Sequence, residues 1–139
     1  MTRGFTTIEL LIVFCILSIL LAISIPRGVE LLDRIRVRGA ANEIETAFGI
    51  ARHIAIARAA QATVDIDGSA GKLYVSVAGD TVRRIDLAAA HGVELTSNRA
   101  RMSYGATGIG YGAANLSVVV QRNGFADTVL VSRLGRVRH

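Results

Sequence analysis

Few side chains in this sequence stand where they could do covalent chemistry. Asp86, His91 and Ser97 are the residue types of a hydrolytic triad. No strand-to-helix nucleophile elbow surrounds Ser97, and without that turn its hydroxyl is not presented to a substrate. Asp65 and Asp67 beside Gly68 offer two carboxylates to a cation, short of the ligand set of a calcium loop. Cys15 is the one cysteine, so an intramolecular disulfide and a multi-sulfur zinc site are both excluded. Three scattered histidines argue against a multi-His metal centre. The run from Gly105 through Gly108 and Gly110 to Gly112 has glycines enough for a phosphate loop. It lacks a following Gly-Lys-Ser/Thr, and a strand rather than a helix comes next, so it reads as a flexible surface loop. Tyr104 and Tyr111 are expected to pack at the edge of the domain. The reading is of no enzyme, no metal, no cofactor and no small-molecule substrate.

Two features resist so bland a reading. The first is Glu9, an acid ahead of sixteen uncharged residues from Leu10 to Ile25. A helix over those sixteen spans about 24 Å, and one begun at Phe5 spans about 31 Å, enough for a hydrocarbon core. A carboxylate inside such a segment costs about 2.5–3.5 kcal/mol at its centre and less near its edge. It therefore asks for a partner, and a positive amine one helical turn away would serve. The second feature is charge placement. The chain carries 16 Lys and Arg against 11 Asp and Glu, a net +5. Residues 1–98 hold ten of each sign, so the whole excess falls after residue 98: Arg99, Arg101, Arg122, Arg133, Arg136 and Arg138 against Asp127. An arginine fork binds phosphate oxygens bidentately. In an extended strand after Gly135, Arg136 and Arg138 would project to one side.

These residues need elements to position them. Half the chain is hydrophobic, at 51%, and only 19% is charged. Beyond Pro26, which removes a donor and predicts a bend, apolar or small residues recur at Val37, Ala41, Ile44, Phe48, Ala51, Ala55 and Ala59. Steps of three and four make one face of an amphipathic helix, expected to reach about Ala62. Cys15, Ser18 and Ser24 need no special role in the apolar run. From Thr63 the pattern turns to short Val-, Ile- and Tyr-rich runs. Strands are expected at 63–67, 73–77, 82–87, 93–96, 101–104, 116–121 and 128–132, with Asn123-Gly124 as a hairpin turn. The fold class is α+β: a long N-terminal helix packed on a small antiparallel sheet domain.

Arg3-Gly4-Phe5-Thr6-Thr7-Ile8-Glu9, the apolar run and Pro26 together resemble the N-terminus of type IV pilin-like proteins, the pilins and the pseudopilins of type II secretion. The closing Thr128-to-Ser132 strand and the Arg133-Leu-Gly135-Arg136-Val-Arg138 tail resemble the GspH/FimT-type group of minor pseudopilins. The resemblance implies a leader, residues 1–4, cut by a prepilin peptidase between Gly4 and Phe5, and methylation of Phe5. It implies a transmembrane and assembly segment, residues 5–27, in which Glu9 and Pro26 serve packing, and a pilin-like domain, residues 28–139. The subunit would be single-pass in a bacterial inner membrane, N-terminus cytoplasmic and domain periplasmic, before joining other pilins or pseudopilins in a filament. Counting positives points the other way, since Arg27, Arg34, Arg36 and Arg38 follow the apolar run while Arg3 precedes it. The absent cysteine pair favours a minor subunit. FimT-type members are implicated in DNA uptake, which makes Arg133, Arg136 and Arg138 candidate contacts to double-stranded DNA.

Overall fold

A computed structural model of the chain describes residues 6–111, 115–132 and 134–138. The expectations placed on Gly4, Phe5, Gly112 and Arg133 fall outside these residues. The chain divides into two compact units, Met1–Asp33 and Arg34–His139.

A single α-helix, α1, runs from Thr7 to Ala57 and passes through Pro26 without interruption. In the first unit its surface is apolar on every side from Leu10 to Ile25, and all of these side chains are exposed. Cys15 is exposed with them rather than buried. The Ser18 hydroxyl donates to the Phe14 carbonyl at 2.8 Å, one turn back, which satisfies it locally.

In the second unit α1 becomes amphipathic. Val37, Ala41, Ile44, Phe48, Ala51 and Ala55 are buried, joined by Ala40 and Ala47. The stripe ends one step sooner than its periodicity suggests, and so does the helix. Ala59 is exposed in the left-handed region, with φ of 48°. Ala60 N–H donates to Ala55 O at 3.2 Å and Ala59 N–H to Ile56 O at 3.3 Å. Those two bonds form a Schellman cap, which stops α1 at Ala57 rather than near Ala62.

Two antiparallel sheets share the core with this stripe, where the sequence suggested one. Their strands are β1 (Ala62–Asp67), β2 (Lys72–Val77), β3 (Asp80–Asp86), β4 (Glu94–Ser97), β5 (Arg101–Tyr104), β6 (Gly110–Tyr111), β7 (Leu116–Arg122), β8 (Phe125–Val131) and β9 (Val137–Arg138). The first sheet has the order β3-β2-β1-β5-β6 and the second β4-β7-β8-β9. Each buries alternate residues: Val64 and Ile66 in β1, Leu73 and Val75 in β2, Val118 and Val120 in β7, Val129 and Val131 in β8. The outward residues of the first sheet are polar and paired across strands. Thr63 and Ser103 hydroxyls lie 3.0 Å apart, Asp65 meets Arg101, and Lys72 meets Asp86 at 3.3 Å. All the buried apolar side chains fall between Val37 and Val131, so the second unit carries a complete core.

The chain crosses between sheets through a helix of five residues, α2 (Leu87–His91), where only a strand ending at Leu87 was expected. Asp86 caps its start by accepting from Ala89 N–H at 2.9 Å. Gly92 closes its end at φ 63°, and the Arg122 guanidinium donates to the His91 and Gly92 carbonyls at 3.1 and 2.6 Å. The loop at 105–109 is not loose either. Gly105 N–H donates to Ile109 O at 3.0 Å, and Gly110–Tyr111 returns as β6 beside β5.

Two hairpins turn on residues with positive φ at both central positions. Asn123-Gly124 (46° and 84°) is the favoured pair. Ala78-Gly79 (52° and 96°) puts an alanine where its Cβ crowds the backbone. Ala78→Asn is therefore expected to stabilise the fold by about 1 kcal/mol, raising the thermal midpoint by about 4–8 °C. An unchanged or lower midpoint would show that the turn carries no such strain. The aspartates supply a second check. Asp86 is held below its ordinary pKa of 3.8 by Ala89 N–H and then Lys72. Asp67 is likewise held below 3.8, by the Ser69 hydroxyl and then Ala70 N–H. Both bind protons more weakly folded than unfolded, so their contribution is complete above pH 3.8 and is lost as the pH falls below it. Asp86→Asn should flatten that acid decline in melting temperature. Parallel declines in variant and parent would remove Asp86 from the cause.

Candidate functional site

The residues that invited a catalytic reading are held apart by other partners. Asp86 caps α2, His91 Nε2 lies 3.0 Å from Glu43 on α1, and the Ser97 hydroxyl donates to Arg99 O at 2.8 Å. Asp65 is engaged by Arg101, and Asp67 accepts from Ser69 and Ala70 in a tight turn. Among the described residues, no group of His, Cys, Asp and Glu is placed to hold a metal ion. Tyr104 is a core residue rather than an edge one, and burial pushes its phenol up to about 12 while nearby Arg52 pulls in the opposite direction. Tyr111 is exposed at the edge strand β6 and bounds a cleft of about 510 Å³ with Gly105 and the end of α1. That cleft holds no nucleophile beside a base.

The assembly feature lies at the start of α1. Thr6 is its N-cap. The Glu9 carboxylate accepts from both the Thr6 N–H and the Thr6 hydroxyl at 2.9 Å, while Glu9 N–H donates to Thr6 Oγ1 at 3.3 Å. This reciprocal pair is a capping box. It places a negative group where the exposed N–H groups and the dipole of the helix favour one. The Thr6-x-x-Glu9 spacing carries that signature in the sequence, yet attention to an amine partner for Glu9 passed over Thr6. Among the described residues, α1 is the one helix long and apolar enough to cross a membrane, and none of its most apolar window is buried inside the chain.

The arginine feature lies at the other end of the chain. Ser132 N–H donates to Arg136 O at 2.8 Å, Gly135 N–H to Ser132 O at 2.9 Å, and Arg136 N–H to the Ser132 hydroxyl at 3.1 Å. This closed turn feeds β9, whose Val137 and Arg138 stand opposite Val131 and Leu130 of β8. Val137 packs against the core, and Arg136 and Arg138 on either side of it are exposed. The alternation expected from sequence is what the strand displays. The excess positive charge is not uniform, however. Arg101 is paired with Asp65 and Arg122 caps α2, which leaves Arg99, Arg136 and Arg138 without side-chain partners among the described residues. A further arginine, which the sequence marks only as a charge off the apolar stripe of α1, touches the tail: Arg52 Nη1 lies 3.4 Å from Gly135 O.

This architecture has solved relatives. The chain is similar to the type IV minor pilin FimU of Pseudomonas aeruginosa, at a TM-score of 0.65 and 17% identity, over 78% of this chain and 90% of that one. A second crystal form of FimU aligns at 0.60 and 16%, over 73% and 90%. The minor pseudopilin EpsH of the Vibrio cholerae type 2 secretion system aligns at 0.58 and 12%, over 74% and 94%. Among curated proteins no sequence match is found. At these identities the structures establish the fold, a type IV pilin-like helix on antiparallel sheets. The family profile described as Type II transport protein GspH matches residues 40–135, most of the second unit and the turn that opens the tail. The chain therefore belongs to the GspH family of type II transport proteins, as a minor pseudopilin with a structural role.

Proposed function

We propose that this minor subunit is held in the bacterial inner membrane by the first half of α1 and then enters a filament, at its tip. The observation that carries the reading is a helix surface apolar on every side from Leu10 to Ile25, with none of the described residues covering it. In water such a surface would collapse or aggregate, so lipid or neighbouring helices must cover it. Prepilin peptidase would cut between Gly4 and Phe5 and methylate Phe5. The cut keeps the Thr6 amide and hydroxyl that bind Glu9, and it creates a positive amine beside them. Glu9 thus has its own cap while the subunit waits in lipid, and an amine, on its own chain or the neighbour's, to answer it in the filament. The N-terminus would face the cytoplasm and the sheet domain the periplasm. Glu9→Ala should leave membrane insertion intact and prevent co-assembly with the other pilin-like subunits, measured in sheared or purified filaments. Normal incorporation of that variant would remove Glu9 from assembly.

A second reading is favoured by one specific observation: Arg136, just before β9, and Arg138, on it, are exposed and unpaired among the described residues, on either side of the half-buried Val137. We infer that this tail binds double-stranded DNA through phosphates, without sequence preference, as a DNA-uptake subunit would. Each phosphate contact contributes about 0.9 to the slope of log affinity against log salt. Changing Arg136 and Arg138 to Gln should lower that slope by about 1.8, measured by fluorescence anisotropy. An unaltered slope, or no binding by the parent at low salt, would end the DNA reading and leave the structural one standing.

A further inference from the structure

Three separated stretches of chain converge on one side chain. Arg52 sits on α1, half-buried, five residues before the helix ends. Gly108, in the turn before β6, and Gly135, in the turn before β9, close on it from the two sheets. Both glycines have positive φ, 72° and 75°. A Cβ on Gly135 would lie 3.1 Å from Arg52 Cδ and Nε and 3.2 Å from the Gly108 carbonyl. A Cβ on Gly108 would lie 2.7 Å from Ile56 Cδ1 and 3.2 Å from Arg52 Nε. The arginine stem therefore fills a slot that exists because neither turn carries a side chain.

The polar end of Arg52 is equally constrained. Nη1 reaches the Gly135 carbonyl at 3.4 Å, while Nε is buried without an acceptor among the described residues. The buried Tyr104 hydroxyl, on β5, is also without a partner there. Holding part of a guanidinium out of water is costly unless its donors find acceptors, and the acceptor found here is Gly135 O. What it touches is the turn that launches the two exposed arginines. That turn closes on itself through the Ser132 hydrogen bonds, and the strand that follows is two residues long and the last of its sheet, so a contact to α1 is what fixes the turn against the helix.

We propose that Arg52 is the positioning residue of the arginine tail: it ties the Gly135 turn to α1 and so holds Arg136, at the entry to β9, and Arg138, on it, in a fixed arrangement. This rests on the DNA reading of the tail for its functional consequence, though not for the tie itself. Two arginines fixed about 6.7 Å apart along a strand can meet phosphates together without first losing the freedom of a loose tail. The stem and Nε of Arg52 are enclosed by Gly108, Gly135 and Ile56, which suits it to positioning the tail.

The test uses the full chain in detergent micelles and short duplex DNA. Arg52→Met keeps the stem and removes the tie. Amide exchange at Arg136 and Arg138, whose N–H groups face Ser132 and Leu130, should accelerate at least tenfold while exchange between β7 and β8 stays unchanged. DNA affinity should fall several-fold. Gly135→Ala, which crowds the same contact and strains the backbone, should reproduce both effects with Arg52 present. Arg52→Lys restores charge without the planar fork and should not restore affinity. Unaccelerated exchange in Arg52→Met overturns the tie. Accelerated exchange with unchanged affinity overturns its role in binding. If the parent chain binds no DNA while exchange at β9 still accelerates, the DNA reading fails and the tie is upheld.

Discussion

One helix in this chain has to satisfy two different surroundings, and the rest of the molecule is arranged around that demand. Over Leu10 to Ile25 nothing distinguishes one face of α1 from another, so any apolar environment will suit it, lipid or packed helices alike. Beyond Val37 the same helix shows one apolar stripe, and there two sheets complete the burial. The change from uniform to striped surface separates a region whose partners are outside the chain from one whose partners are inside it. A subunit that must leave a bilayer for a filament needs the first kind of surface, and a domain that must stay folded throughout needs the second.

Polar groups at the two ends of this arrangement are handled over different distances along the chain. Glu9 is kept from being a bare charge by the Thr6 amide and hydroxyl, a solution within one helical turn. Arg52, by contrast, is answered across 83 residues by Gly135. Between them, Asp86, Gly92 and Arg122 cap the short crossover helix from three elements. The sheets interleave in sequence, with β1 beside β5 and β4 beside β7, so these long-range ties set how the two halves of the domain close on α1. Slow folding through non-local pairing is the expected cost of such a topology.

What could be read before the structure follows from the range of the forces involved. The α1 stripe, the Asn123-Gly124 turn and the alternation in β1, β2 and β7 are written in local periodicity, and they stand where that periodicity puts them. The helix end moved because Ala59 adopts a left-handed conformation, which glycine would have announced and alanine does not. Helix α2 is too short to show a period, although Asp86 and Gly92 mark its limits. The two-residue strands β6 and β9 have no pattern to read, and the division into two sheets depends on pairing between distant segments. Glu9 and the arginine tail stood out because charge in an oily run, and charge of one sign, are anomalies of composition. Thr6 and Arg52 did not, since a threonine before a helix and an off-stripe arginine are ordinary until their partners are known.

The account turns on whether the oily half of α1 begins with a processed amine beside Glu9. Mass spectrometry of the N-terminal peptide, from protein extracted out of its host's own membranes, reads this directly. The account predicts a peptide beginning at methylated Phe5. A peptide that still carries Met1 to Gly4 in membrane-inserted, correctly folded protein would contradict it, and would leave a tethered domain with no device for entering a fibre.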